Sequence, residues 1–279
     1  MIKRKAKEKE KMKKRFSWVT CILLLLSITI ISWKAESITK HRDRTHLVKF
    51  HKGRSARELF SQYVEDIYNT AELHQAGLDY SVFQKAITGY FNLKASDDVP
   101  QTSTVLTIVD LAKSSTTKRM WIIDLLDKDL LLHTWVAHGN GSGDDMPQYF
   151  SNQNDSHASS LGFYITNGIY NGKHGQSLKL DGMDAGFNDN ARSRGIVVHG
   201  AKYVSEGTIN ALGRLGRSEG CPAVSSKLIK KVIANIKGKT VFFINGNDDS
   251  YNSKYLDETA AARYVYPGID GNQAENASL

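Results

Sequence analysis

Apolar and polar positions divide the chain into four regimes. The first is Trp18–Trp33, an apolar run without a single charge. Residues 34–54 are polar and basic, with His41, His46 and His51, and predict a tether. The second regime is helical. Leu59, Phe60, Tyr63, Val64, Ile67 and Ala71 recur at helical spacing behind Ser55, a suitable N-cap. Val82, Phe83, Ala86, Ile87, Tyr90 and Phe91 form a second such stripe after Asp79, and both stripes read as core. From Thr104 the third regime sets in, short β-rich runs at Thr104–Val109, Arg119–Leu125 and Leu130–Val136, with Asp127-Lys128 as a hairpin turn. Residues 138–194, rich in Gly, Asn, Ser and Asp, predict turns and long loops rather than regular elements. The fourth regime is a strand ending at His199, a loop to Cys221, and a helix capped by Ser225 or Ser226. That helix carries Leu228, Ile229, Val232, Ile233 and Ile236, and Gly238 stops it. A last strand spans Thr240–Ile244, and after Pro267 the tail is polar and expected to be disordered. The pattern predicts a mainly β fold with flanking helices. Its parts are a tail and apolar segment (1–33), a linker (34–54), a folded unit (55–250, helical over 55–93 and β-rich over 104–246) and a polar tail (251–279).

Charge changes the reading of the N-terminus. Lys and Arg outnumber Asp and Glu by 37 to 29, a net +8. Residues 1–15 hold nine basic and two acidic residues, or +7, so the remainder is close to neutral. A folded part without a basic excess is not expected to bind nucleic acid. A basic flank before an apolar core is the pattern of an export signal with its positive side in the cytoplasm. The run is shorter than the roughly 20 residues of a full span, but Trp18 and Trp33 stand at its ends as interfacial anchors. The expectation is an uncleaved membrane anchor at 18–33. Cleavage after Ala35 is the alternative, with the bulky Trp33 against it.

The cysteines supply candidate chemistry. There are two, Cys21 and Cys221. Cys21 lies inside the apolar run, so Cys221 has no partner within the chain. An exported protein ordinarily pairs or loses its cysteines, and a reactive role is one reason to keep a lone thiol. A thiolate nucleophile needs a nearby base or cation. His199 lies 22 positions upstream at a strand end, and histidine exchanges protons near neutral pH. Gly220 permits a turn closed to other residues, Pro222 fixes the backbone after the thiol, and amides beside Cys221 can face an oxyanion. Two such residues at this separation carry little by themselves. Together with the Gly-Cys-Pro turn and the export address they indicate acyl transfer through a thioester.

The run Arg214-Leu215-Gly216-Arg217-Ser218-Glu219-Gly220-Cys221-Pro222-Ala223, following His199-Gly200, resembles the catalytic signature of the L,D-transpeptidases of YkuD type. It is most similar to the murein L,D-transpeptidase catalytic domain family. Val136-Ala137-His138-Gly139, Phe150-Ser151-Asn152, Ser159 to Tyr164, Gly172-Lys173-His174-Gly175, Ser177 to Leu180 and Asn188-Asp189 fit the same branch. The likeness covers roughly 104–246. It implies a β-sandwich-like catalytic domain in a bacterial cell envelope. It implies attack on the L-to-D bond of a peptidoglycan stem, with Cys221 as nucleophile, His199 as base oriented by a backbone carbonyl, and Gly220 shaping the oxyanion site. Substrate contacts are expected from Arg217, Ser218, His138 and Gly200, and no cofactor or metal is implied. Arg217 has a structural salt bridge as its alternative role. His138 and His174 either line the cleft or make local hydrogen bonds. Ser159 and Ser160 are substrate contacts or turn formers. The chain departs from the wider family at Glu219, where many members carry histidine, and at Pro222-Ala223-Val224. Glu219 is expected to point outward. Competing readings are hydrolysis by the same thioester, a sortase-like enzyme (disfavoured because the first Arg after Cys221 is Arg263), a zinc site from His138, His199 and Cys221, and a non-catalytic wall-binding module.

Overall fold

The computed structural model describes residues 54–269. The apolar run 18–33, the tether up to residue 53 and the last ten residues lie outside them. Among the described residues no helix is long and apolar enough to cross a membrane. The elements are α1 (Ala56–Thr70), α2 (Tyr80–Ala95), β1 (Val105–Asp110), β2 (Met120–Asp124), β3 (Asp129–Thr134), β4 (Gly162–Gly172), β5 (Gly175–Gly182), β6 (Val197–Ala201), α3 (Glu206–Leu212), β7 (Ala223–Ser225), α4 (Ile229–Ile236), β8 (Val241–Asn245) and α5 (Glu258–Val265).

All eight strands form one sheet in the order β3-β2-β1-β8-β4-β5-β6-β7. The expected sandwich of two sheets is therefore corrected to a single sheet. The reason is β8, which pairs parallel with β1 and antiparallel with β4 and so joins the two halves. The sheet also curls. The chain running on from β3, one edge, bridges β7, the other edge, at Ala137↔Ala223. The result is close to a closed barrel.

Strand alternation divides the core in two. Leu106, Ile108, Trp121, Ile123, Phe163, Ile165, Val241 and Phe243 pack against α1, α2 and α5. Their neighbours Val109, Met120, Ile122, Tyr164, Phe242 and Ile244 face the other way, with Ile229, Val232, Ile233 and Ile236 of α4. The expected apolar stripes are thus core. Ser55 does cap α1. Its Oγ accepts from Glu58 N–H at 3.2 Å, and Glu58 Oε2 accepts from Ser55 N–H at 2.8 Å. Such a reciprocal box contributes about 1 kcal/mol.

Five local expectations change. Residues 138–194 contain the long hairpin β4–β5. Only Gly162–Thr166 of β4 is buried, and everything beyond Asn167 is exposed, so no apolar alternation marks the outer half. Helix α3 lies between His199 and Cys221 with no buried residue, hence no stripe to find. Strand β6 does not end at His199 but runs to Ala201. Ser225 belongs to β7, and α4 starts behind Leu228 with no side-chain cap. The segment after residue 250 is not all tail. Tyr255, Ala261 and Ala262 are buried in the helical core. Asp184 anchors the approach to α5 by accepting from Tyr251 Oη at 2.9 Å, Ser253 Oγ at 2.5 Å and Phe163 N–H at 2.7 Å.

Gly89 explains how α2 lies so close to the sheet. A Cβ there would stand 2.0 Å from Phe163 Cζ. Gly89→Ala gains about 1 kcal/mol of helix propensity, but overpacking a rigid aromatic costs roughly 1–3 kcal/mol. We expect a net destabilisation on the order of 1 kcal/mol in urea unfolding, and a variant as stable as the parent would show that α2 can shift.

Candidate active site

The site is assembled at the β6·β7 edge. These strands pair in parallel with His199 opposite Ala223. Stepping back two residues on each strand sets Cys221 against Val197. Val197 N–H donates to Cys221 Sγ at 3.5 Å, and Sγ lies 3.8 Å from Gly195 O. Cys221 is partly buried.

The turn before the sulfur is held from three sides. Ser218 N–H donates to His138 O at 2.9 Å, and Asn140 N–H donates to Ser218 O at 2.8 Å. Ser218 Oγ donates to Cys221 O at 2.6 Å and accepts from Gly220 N–H at 3.2 Å. Ser159 Oγ accepts from Gly139 N–H at 3.0 Å and donates to Gly220 O at 3.3 Å. Gly220 has φ +111, and a Cβ would meet Ala158 O at 2.9 Å, so both conformation and space require glycine. Among the described residues the Cys221 N–H has no acceptor, which leaves it for a ligand oxygen.

His199 is 2% exposed. Its Nδ1 is 3.2 Å from Gly200 O. A carbonyl only accepts, so Nδ1 carries the proton and Nε2 the lone pair. The expected backbone-carbonyl orienter is therefore present. The ring stacks on His174 with centroids 4.1 Å apart. Burial holds the His199 pKa below the ordinary value, and the Gly200 bond opposes this; His174 and Lys173 depress it further. A neutral imidazole is the form that can take a proton. No hydrogen bond links His199 to Cys221 among the described residues; the two share a strand edge, with Val197 N–H rather than imidazole on the sulfur. Burial pushes the Cys221 thiol up. Val197 N–H, Arg194 and Lys173 pull it down, Glu219 adds to the rise, and the net direction is upward.

Several residues expected at the substrate are engaged within the fold. His138 does not line the cleft. It is 1% exposed, its Nδ1 accepts from Arg119 Nη2 at 2.8 Å, and its Nε2 donates to Gly143 O at 3.3 Å. Burial and then Arg119 push its pKa down to about 4. Ser218 is buried and spends its hydroxyl within the turn. Gly200 lies close to α4, where a Cβ would meet Ile229 Cγ2 at 3.0 Å. Arg217 forms an ion pair at the surface. Its Nη1 reaches Gly143 O and Asp144 Oδ1, each at 2.9 Å. The zinc set His138, His199 and Cys221 does not converge, and no group of three His, Cys, Asp or Glu does so among the described residues. Glu219 is exposed, as expected. Sequence reasoning missed Arg194, five residues before His199, because nothing in its spacing marks it. Ser159 braces the Gly220 turn from the side through its hydroxyl.

Comparison with known proteins bears on this geometry. The profile of a family described as the L,D-transpeptidase catalytic domain matches residues 74–245. No curated protein matches the chain. Similar solved structures include the helical cell shape determining protein Pgp2 from Campylobacter jejuni, 14% identical over 64% of this chain and 62% of that one, with a TM-score of 0.34. An L,D-transpeptidase from Xylanimonas cellulosilytica DSM 15894 is 15% identical over 58% of this chain and 79% of its own, with a TM-score of 0.30. Bd1075 of Bdellovibrio bacteriovorus is 17% identical over 58% of this chain and 56% of its own, with a TM-score of 0.31. The chain spans less than two thirds of the Pgp2 and Bd1075 chains.

The electrostatics of His199 are directly measurable. By NMR its imidazole is expected to titrate below the free value of about 6.5. Lys173 disfavours the imidazolium, so Lys173→Gln should move the midpoint upward, toward that value. A midpoint above 6.5 in the parent, or a downward move in the variant, contradicts the assignment.

Proposed function

The chain belongs to the L,D-transpeptidase catalytic domain family, a family that modifies cell-wall peptidoglycan, and from that premise we propose that it is a cysteine acyltransferase acting on peptidoglycan stem peptides in the cell envelope. The observation that carries the reading is the β6·β7 register, which sets the thiol and the unengaged N–H of Cys221, just before β7, beside the strand that holds His199. In the first step His199 Nε2 takes the thiol proton, and Sγ forms a bond to the carbonyl carbon of the L-to-D peptide. The carbonyl electron pair moves onto oxygen, where the Cys221 N–H donates to it. When that pair returns, the C–N bond breaks, and the leaving amine takes the proton from His199. A D-residue departs and a thioester remains. An amine of a second stem then attacks the thioester and gives its proton to His199; the C–S bond breaks as the new peptide forms, and His199 returns the proton to the sulfur.

Water in place of the amine would give a tripeptide, so products discriminate transfer from hydrolysis. A Glu219 carboxylate turned onto the sulfur would oppose the thiolate and favour a non-catalytic wall-binding role. That side chain is exposed, where water screens its charge. The anchor at 18–33 belongs to this reading as its membrane attachment.

The test incubates the full chain in detergent with purified disaccharide-tetrapeptide and resolves products by mass spectrometry. We expect a cross-linked dimer, with Cys221→Ala reducing turnover by more than about 10³-fold. A carbapenem should add covalently to Cys221, read as intact mass. Turnover that survives Cys221→Ala would exclude the thioester route.

A further inference from the structure

We propose that the guanidinium of Arg194 is the built-in counter-ion of the Cys221 thiolate. The inference rests on reading Cys221 as the nucleophile and assigns the charge that makes it one. Arg194 lies in the loop before β6, directly ahead of Gly195, whose carbonyl touches the sulfur at 3.8 Å. Its side chain also reaches this turn, where Nη2 comes within 3.3 Å of where a Cβ on Gly220 would stand. Loop and side chain thus both meet the turn that carries the sulfur.

What holds the guanidinium is as informative as where it sits. Nη1 donates to Ser151 O at 2.7 Å and Ser160 Oγ at 3.3 Å. Nη2 donates to Ala158 O at 2.7 Å and Ser156 Oγ at 3.2 Å. All four acceptors are neutral. Two nearby loop arginines differ. Arg192 meets Asp181 at 2.6 Å and Arg217 meets Asp144 at 2.9 Å. Among the described residues Arg194 has no carboxylate partner. A guanidinium stays charged at any physiological pH, and leaving one partly buried without an anion is costly. Four hydrogen bonds fix it in place without cancelling its charge. The missing anion is supplied when Cys221 loses its proton.

The other charges facing the sulfur are less suited. Lys173 reaches it from the exposed tip of the β4–β5 hairpin, and Glu219 is exposed on the turn, so water screens both. Tyr203 is a neutral phenol, its ionisation opposed first by burial and then by Cys221 and Glu219. His199 and its stacked partner His174 complete the surroundings. Arg194 is the pinned cation. In the reaction the proton passes from Sγ to His199 Nε2, and the negative charge left on sulfur is balanced by a guanidinium already in position.

The competing role is structural, Arg194 merely tying residues 151–160 to β6. The pH dependence of Cys221 alkylation separates the two. The full chain carrying Cys21→Ser, with one thiol, is treated with iodoacetamide across pH 5–11 and followed by intact mass. The midpoint reports the thiol pKa, and the high-pH plateau reports access. We expect Arg194→Gln to raise the midpoint by about one unit, a roughly tenfold slower reaction at pH 7, with the plateau retained. Arg194→Lys should keep the midpoint near the parent value. A Gln variant that alters only the plateau, or nothing, overturns the proposal. If that variant does not fold, the parent decides. Arg194 side-chain ¹⁵N resonances should titrate with the Cys221 midpoint and stay flat in Cys221→Ser, and a flat response in the parent overturns the proposal. The proposed transfer reaction fails separately, when alkylation behaves as expected but no stem-peptide product forms.

Discussion

His199 stands two positions beyond Val197 on β6, and Ala223, the first residue of β7, stands two positions beyond Cys221. The His199↔Ala223 pairing therefore decides which backbone amide meets the sulfur. A slip of one residue would turn Cys221 to the other face. Such a short edge strand would hold its register poorly alone, since β7 spans only Ala223–Ser225. It does not stand alone. Ala137 exchanges two hydrogen bonds with Ala223 at 2.8 and 3.2 Å, and Gly139 bridges Ser218. The segment that closes the sheet is thus the one that fixes the nucleophile. Arg119 braces that segment from below. It is fully buried and donates to Val136 O at 3.1 Å, Lys113 O at 2.6 Å and His138 Nδ1 at 2.8 Å. His138, expected to touch substrate, serves the site through its carbonyl, which accepts from Ser218 N–H.

The energetics of the sulfur follow from this placement. Packing the turn against the second core desolvates the thiol and raises its pKa. The same packing brings a backbone N–H and a fixed guanidinium to it, and both favour the anion. Burial keeps the resting thiol protonated, while the polar groups lower the cost of ionising it during reaction. His199 is tuned the same way, since its burial keeps the imidazole neutral and ready to accept.

Much of this was legible in the chain because the signals were local. Ser55 and Glu58 stand at capping-box spacing, and β1, β2 and β8 carry apolar runs that a buried strand must have. The turn motif around Cys221 named the nucleophile's loop and its glycine. What escaped depended on contacts between distant segments. The joining of two half-sheets by β8 is a pairing choice that no single strand records. The outer half of β4 is polar because it leaves the core, so composition hid a strand. Arg119 and Arg194 gave no motif, yet their roles come from carbonyls 17 and 36 positions away along the chain. Arg217, which did lie in the motif, is tied to Asp144, 73 positions upstream. Proximity in sequence to a nucleophile predicts a shared loop, and says little about which way a long side chain turns.

The hairpin tip adds a coupling between the two titrating groups. Lys173 faces both His199 and Cys221, and His174 stacks on His199. A positive charge at that tip disfavours imidazolium and favours thiolate, so it lowers both pKa values together. It leaves their difference, and hence the proton transfer between them, less affected than either group alone. Arg194 acts differently. Four neutral acceptors pin its guanidinium against the turn that carries the sulfur, and it is partly buried where Lys173 is exposed. Its charge is therefore less screened by water than that of the lysine, and it favours the thiolate. Of the two cations, the pinned arginine is the one that favours the sulfur anion more strongly.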